Sequence, residues 1–371
     1  MADLNRKQPE HRQPIAADQA SALVDDWAEI AEEPLQSRFS PAELVDHLIH
    51  NPAPLTGRDL FAFSDLSRGD AETVRESWAL IPLERRRLVV QNLTALAEEG
   101  IEWHLGRILR IALHDSDATV RRYAIEGLWE ETTADLLGPL VDAVRHDEDE
   151  EVRAAAACAL GDYVLAGELD DLDAALAMRA EQVLLEVLRD GDEPLPVQCQ
   201  ALESIAYSGE VGVRQLIEDA YYSPHEALRV SALAAMGRSA DVHWRSYARA
   251  ELQSPSALMR AEAARACGEL EAHNAVDDLL LLLVDEEPSV RLAVITALGR
   301  IGGAEARDAL RTMSAEGEPA EAEAAEDALA EMIFSAGDGG IALYDDDDAD
   351  NDWDIDRWDI DDDDELGEYE Q

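Results

Sequence analysis

Few side chains in this sequence stand where they could do chemistry. His114-Asp115 and His146-Asp147 occupy equivalent places in two neighbouring copies of a repeat. Stacked copies would bring the two imidazoles to about 10 Å, the spacing of packed helices. A metal ion is conceivable there, although a histidine at the end of a helix already suits the negative end of the helix dipole. His47 and His50 stand at i, i+3 beside Asp46, which puts possible ligands on one helix face but supplies no third or fourth. His225-Glu226 is the one His-Glu pair. Cys158, Cys199 and Cys267 are odd in number, far apart and without CxxC spacing, which fits a reducing compartment better than a disulfide framework. Nucleophile elbow, phosphate loop, dinucleotide fingerprint and HExxH are all missing from the sequence. The reading therefore assigns no catalytic, cofactor-binding or metal-ligating residue, and no cofactor.

The informative charges are periodic. Six apolar anchors, Val120, Val152, Val197, Leu228, Met259 and Val290, are separated by 32, 45, 31, 31 and 31 residues. Five residues before them stand Asp115, Asp147, Asp192, Ser223, Ser254 and Asp285; one residue after them stand Arg121, Arg153, Gln198, Arg229, Arg260 and Arg291. A row of arginines could be mistaken for a phosphate-binding stripe. With 82 acidic against 30 basic residues and a net charge of −52, the chain would instead repel nucleic acid and anionic membrane. Each arginine is expected to pair with a carboxylate of its own or the next turn, tying neighbours together.

These charges need helices to position them. Counting the anchor as position 0, Ala or Val stands at 4 and an apolar residue at 8, one buried stripe of a helix. The upstream Asp or Ser is expected to cap this helix, and a frequent Gly at position 9 to supply its left-handed stop. About fifteen residues before each turn form a partner helix. One pair cannot bury its apolar face alone, so pairs must stack. An imperfect earlier copy, ERRRLVVQNLTAL, puts Arg87, Val90 and Leu93 in comparable places, and GGAEARDALRTM with EPAEAEAAEDALAEMI makes a worn final pair. The 45-residue step holds about fourteen extra residues near Gly167 to Met178, read as a lengthened loop and helix. The fold class is all-α: a right-handed α-α superhelix of about seven to eight helix pairs.

The pattern D-x-x-x-x-V-R-x-x-A-x-x-A-L-G at a 31-residue period resembles the HEAT-like repeats of the phycobilisome-lyase type, over about residues 66–333. The resemblance implies the solenoid and says little of function. Relatives with this repeat include bilin lyase subunits, deoxyhypusine hydroxylases and bacterial scaffolds. The hydroxylases use several His-Glu pairs for two irons, and a single pair here departs from that pattern. The lyase reading finds no acid, base or nucleophile to carry over.

The remaining segments frame the array. Residues 1–20 read as disordered and 21–65 as N-terminal capping helices, with Ser40, Pro41 and Glu43 forming a capping box. Residues 334–371 read as a glycine linker and a disordered acidic tail. From 345 to 371 there are sixteen acidic residues and one arginine, a net −15 that leaves −37 on the rest. WDID occurs twice, at Trp353 and Trp358, two candidate anchors for a partner. ERRR at 84–87 is the densest basic spot and could latch that tail. The N-terminus lacks a signal-like apolar core, so a cytoplasmic protein is expected. The expected function is a non-enzymatic scaffold presenting an acidic inner groove to a basic protein or peptide. A lyase or hydroxylase of the repeat family, and acidity that reflects a saline habitat, are the alternatives; oligomeric state is not legible.

Overall fold

The structure, a computed structural model, describes residues 37–51, 53, 55–98, 103–129 and 131–336. Among them every regular element is a helix. Two short helices come first, α1 (Pro41–His50) and α2 (Gly57–Leu60). Eight pairs follow: α3 (Arg68–Trp78) with α4 (Leu83–Glu98), α5 (Gly106–Ala112) with α6 (Ala118–Glu126), α7 (Ala134–His146) with α8 (Glu150–Glu168), and α9 (Ala174–Arg189) with α10 (Leu195–Ile205). Then come α11 (Val211–Tyr221) with α12 (Glu226–Arg238), α13 (Arg245–Glu251) with α14 (Ala257–Glu269), α15 (Val276–Leu282) with α16 (Pro288–Ile301), and α17 (Ala304–Glu316) with α18 (Pro319–Ala336). Each second helix packs on the second helix of the next pair, so α4, α6, α8, α10, α12, α14, α16 and α18 form an unbroken row. The first helices cover one side of that row. The chain is an α-solenoid.

The anchors and their partners at positions 4 and 8 are the core: Val152, Ala156 and Leu160 in α8, and Val290, Val294 and Leu298 in α16, are all buried. The helix starts follow local chemistry. Ser40 accepts the Glu43 N–H while the Glu43 carboxylate takes the Ser40 N–H. The residue five before each anchor is not the cap. Asp117, Asp149 and Ser256, three before the anchor, cap α6, α8 and α14. Asp115, Asp147 and Asp285 instead accept the backbone N–H two residues on, shaping the turn that delivers the cap.

Position 9 also departs from expectation. Gly161, Gly237, Gly268 and Gly299 lie inside their helices, facing the next second helix. A Cβ built on them would stand 3.1, 3.2, 2.8 and 3.1 Å from the Cα of Ser204, Ala266, Ala297 and Ala328. These glycines exist for close approach. The left-handed stop comes three residues later, at Ala240 (φ 51°), Glu271 (φ 48°) and Gly302 (φ 76°). The extra residues of the long step go into helix: α8 has 19 residues and α9 has 16, joined by only residues 169–173.

Candidate functional site

Along the edge where first helices turn into second helices runs a chain of ion pairs. Arg121 grips Asp147 with a two-pronged fork, Nε at 2.8 Å and Nη2 at 2.7 Å, and donates from Nη1 to the Asp115 carbonyl at 2.9 Å. Arg153 then donates to the Asp147 carbonyl at 2.8 Å and to Glu193 at 2.7 Å. Asp147 is thus held by arginines of two successive pairs. The same arrangement joins Arg260 to Asp285 through two 2.8 Å bonds, with Nη1 on the Ser254 carbonyl at 3.0 Å. Arg291 reaches Glu321 at 2.7 Å and the Asp285 carbonyl at 2.7 Å. The forks hold the carboxylates ionised. Burial pushes Asp147 upward, but Arg121, the Asp149 N–H and Arg153 outweigh it and set its pKa below the usual range. Arg260 does the same for Asp285, and Arg87 for Asp117.

Three positions differ from the sequence pattern. Asp192 is exposed and outside the ladder; its place is taken by the next residue, Glu193. Arg229 bonds only the Ser223 and Pro224 carbonyls, because the next pair offers Ser254 where a carboxylate would stand. In the first pair the ladder arginine is Arg86, one residue before the expected Arg87. Arg86 lies 3.1 Å from a fully buried Asp115, whose carboxylate also takes the Trp78 indole N–H at 2.7 Å. Arg87 pairs with Asp117, Arg86 with Asp115, and Arg85 donates to carbonyls at and beyond the end of α1, so each of 85–87 has a partner within the fold. Trp353, Trp358 and the tail lie outside the described residues.

The ladder is interrupted at two consecutive steps. Gln198 replaces arginine and bonds its own Glu193 carbonyl, and Arg229 meets no carboxylate. Other ties take over there. Between the second helices Glu203 accepts from Ser231 at 2.7 Å and forms an ion pair with Arg238 at 3.2 Å, with the Arg238 guanidinium 5.7 Å from the centre of the Tyr207 ring. On the outer face Arg214 meets Asp241 at 2.6 Å and the Tyr221 hydroxyl donates to Glu251 at 2.6 Å. Beside this stretch, between α9 and α11, lies a groove of about 610 Å³. Met178, Leu185, Val213 and Leu216 line it, with Arg179 and Arg189 at its rim.

His146 bonds Asp142 at 2.9 Å, His50 lies 3.2 Å from Asp46, and His114 and His225 are exposed. Among the described residues no three His, Cys, Asp or Glu side chains gather as a metal site. Burial pushes the Cys267 thiol up to about 12, which leaves it unreactive. Among the same residues no helix is long and apolar enough to cross a membrane.

No curated protein sequence matches this chain. Among solved structures, human deoxyhypusine hydroxylase is similar at 19% identity, with 72% of this chain covering 96% of that one and a TM-score of 0.33. The CpcE–CpcF complex of phycocyanin lyase from Nostoc sp. PCC7120 is similar at 17% identity, with 61% covering 94% and a TM-score of 0.41. Importin beta is similar at 17% identity, with 78% covering 46% and a TM-score of 0.41. Residues 107–183 and 247–330 match the family of HEAT repeats. Between those stretches falls the interrupted part of the ladder, and on either side of it the Asp–Arg ties recur with the repeat; the two matched stretches are HEAT repeats.

Proposed function

We propose that this chain is a non-enzymatic scaffold that binds a basic protein or peptide. The observation that carries the reading is where the arginines go. Ladder arginines neutralise Asp115, Asp147, Glu193, Asp285 and Glu321 inside the structure, while carboxylates such as Glu148, Glu150, Glu151, Glu286 and Glu287 remain exposed at the turns. Among the second helices Arg238, Arg265 and Arg300 stand close to Glu203, Glu262 and Glu269. The exposed carboxylates of the turn edge are the surface we assign to a cationic partner, in place of an inner groove. Attraction of this kind speeds encounter and weakens with salt.

The test is anisotropy of a fluorescein-labelled hexa-arginine peptide titrated with the full chain, from about 0.01 to 1 M salt. Affinity should fall steadily across that range. No binding at the lowest salt, or binding indifferent to salt, refutes the reading. Repeating the titration without residues 345–371 separates the body from the tail that carries Trp353 and Trp358.

A further inference from the structure

The outer seam between α11 and α13 gathers aromatic rings in a chain where aromatics are only 5% of residues. Tyr221 packs edge-on against Tyr222 with centroids 5.0 Å apart, and against Tyr247 at 5.5 Å. Tyr247 in turn lies 5.6 Å from His243 and 5.2 Å from Trp244, whose buried indole forms the floor. Tyr222 nevertheless stays 68% exposed. Rings so braced, with one left in water, are the usual make-up of a binding hot spot.

Two half-buried carboxylates flank the rings. Glu251 accepts the Tyr221 hydroxyl at 2.6 Å. Glu218 stands one turn before Tyr222 on α11. Neither is met by an arginine, unlike the carboxylates of the ladder. The nearby arginines are committed elsewhere, Arg214 to Asp241 and Arg249 to Asp278. Of the other polar neighbours, Asp219 bonds Gln215. Among the described residues the seam is therefore negative and aromatic, with the exposed His243 beside Tyr247 and no arginine paired to Glu218 or Glu251. A purely apolar occupant would strip water from Glu218 and Glu251 with no compensation. An ammonium or guanidinium group gains both from the rings and from the carboxylates.

We propose that this seam is a seat for one cationic side chain, an arginine or lysine of a basic partner segment, held by Tyr222 and Tyr247 with Glu218 and Glu251 as counter-charges. The proposal rests on the scaffold reading above and places its anchor on the outer face, at the level where the edge ladder is interrupted.

The experiment compares two double variants of the full chain that lose equal charge. One is Glu218→Gln with Glu251→Gln; the other is Glu323→Gln with Asp327→Asn, at exposed positions of the distant α18. Hexa-arginine affinity at about 0.1 M salt should fall about fivefold or more in the first and less than about twofold in the second, the difference being the local contribution of the seat. Tyr222→Ala should weaken binding and Tyr222→Phe should keep it, since the ring carries the attraction. Hydrogen exchange with bound peptide should slow in 211–221 and 243–251. Equal losses in the two double variants, or an unaffected Tyr222→Ala, overturn the seat alone. Failure of every form to bind hexa-arginine overturns the scaffold reading and the seat with it.

Discussion

Gly268→Ala isolates the contact on which the row of second helices depends. Its Cβ would stand 2.8 Å from the Ala297 Cα, 3.1 Å from the Ala297 Cβ and 3.6 Å from the Ala297 carbonyl oxygen. Carbon atoms rest at about 3.5–4.0 Å, so α14 and α16 must separate by about 0.7 Å or more. Overpacking of that size costs about 1–3 kcal/mol. Alanine returns about 1 kcal/mol of helix propensity. The net expectation is a change between about zero and a loss of about 2 kcal/mol, where an unobstructed helical glycine would show a gain of about 1 kcal/mol. Gly212, in the first turn of α11 with nothing within 4 Å, is the matched control, and Gly212→Ala should be neutral or stabilising. Because an array of repeats need not unfold in one step, local hydrogen exchange in α14 and α16 should accompany urea denaturation. Adding Ala297→Gly to Gly268→Ala reopens the space, so the double variant should lose less than the sum of its singles. A Gly268→Ala protein stabilised by about 1 kcal/mol, as an unobstructed helical glycine would be, would refute the close-approach argument.

Ala240→Gly and Glu271→Gly should each stabilise by about 0.5–1 kcal/mol in thermal denaturation, since a left-handed non-glycine residue costs about 1–2 kcal/mol and glycine gives back part of that as chain entropy. Arg260→Ala should cost about 2 kcal/mol through its fork on Asp285, while Arg229→Ala, which loses only carbonyl bonds, should cost about half as much or less by urea denaturation. Asp117, Asp147 and Asp285 have folded pKa values below the unfolded 3.8, so their contribution is complete above that value and is lost as pH falls through the lower folded ones. A pH series should therefore show stability declining below about pH 4, with a shallower decline in Asp285→Asn.

Repeat, helix pairs and anchors were legible because burial imposes a period that composition cannot hide: Val120, Val152 and Val290 are core residues as their spacing requires. The Arg–Asp spacing was legible for the same reason, since the residues recur in one register. Glu193 and Arg86 were not, because a one-residue shift moves a carboxylate or guanidinium to its neighbour without disturbing the apolar stripe. Glycine at position 9 looks the same in sequence whether it ends a helix or admits another; only the path of the next helix decides. The tyrosine seam left a signal in Tyr221-Tyr222 and in the run His243 to Tyr247, dense in rings for so aromatic-poor a chain. What no spacing could show is that two first helices lay these rings against each other.

The interrupted ladder has a mechanical meaning. Three ionic rivets, at Asp115, Asp147 and Glu193, clasp one half of the edge, and two, at Asp285 and Glu321, clasp the other. Between them the edge is unstitched for two successive steps, held by packing and by ties on the opposite faces. The stitching changes sides there: Glu203–Arg238 and Arg214–Asp241 bind the same two steps away from the turn edge. A ligand gripping the outer seam would sit where the array has exchanged one line of ion pairs for another.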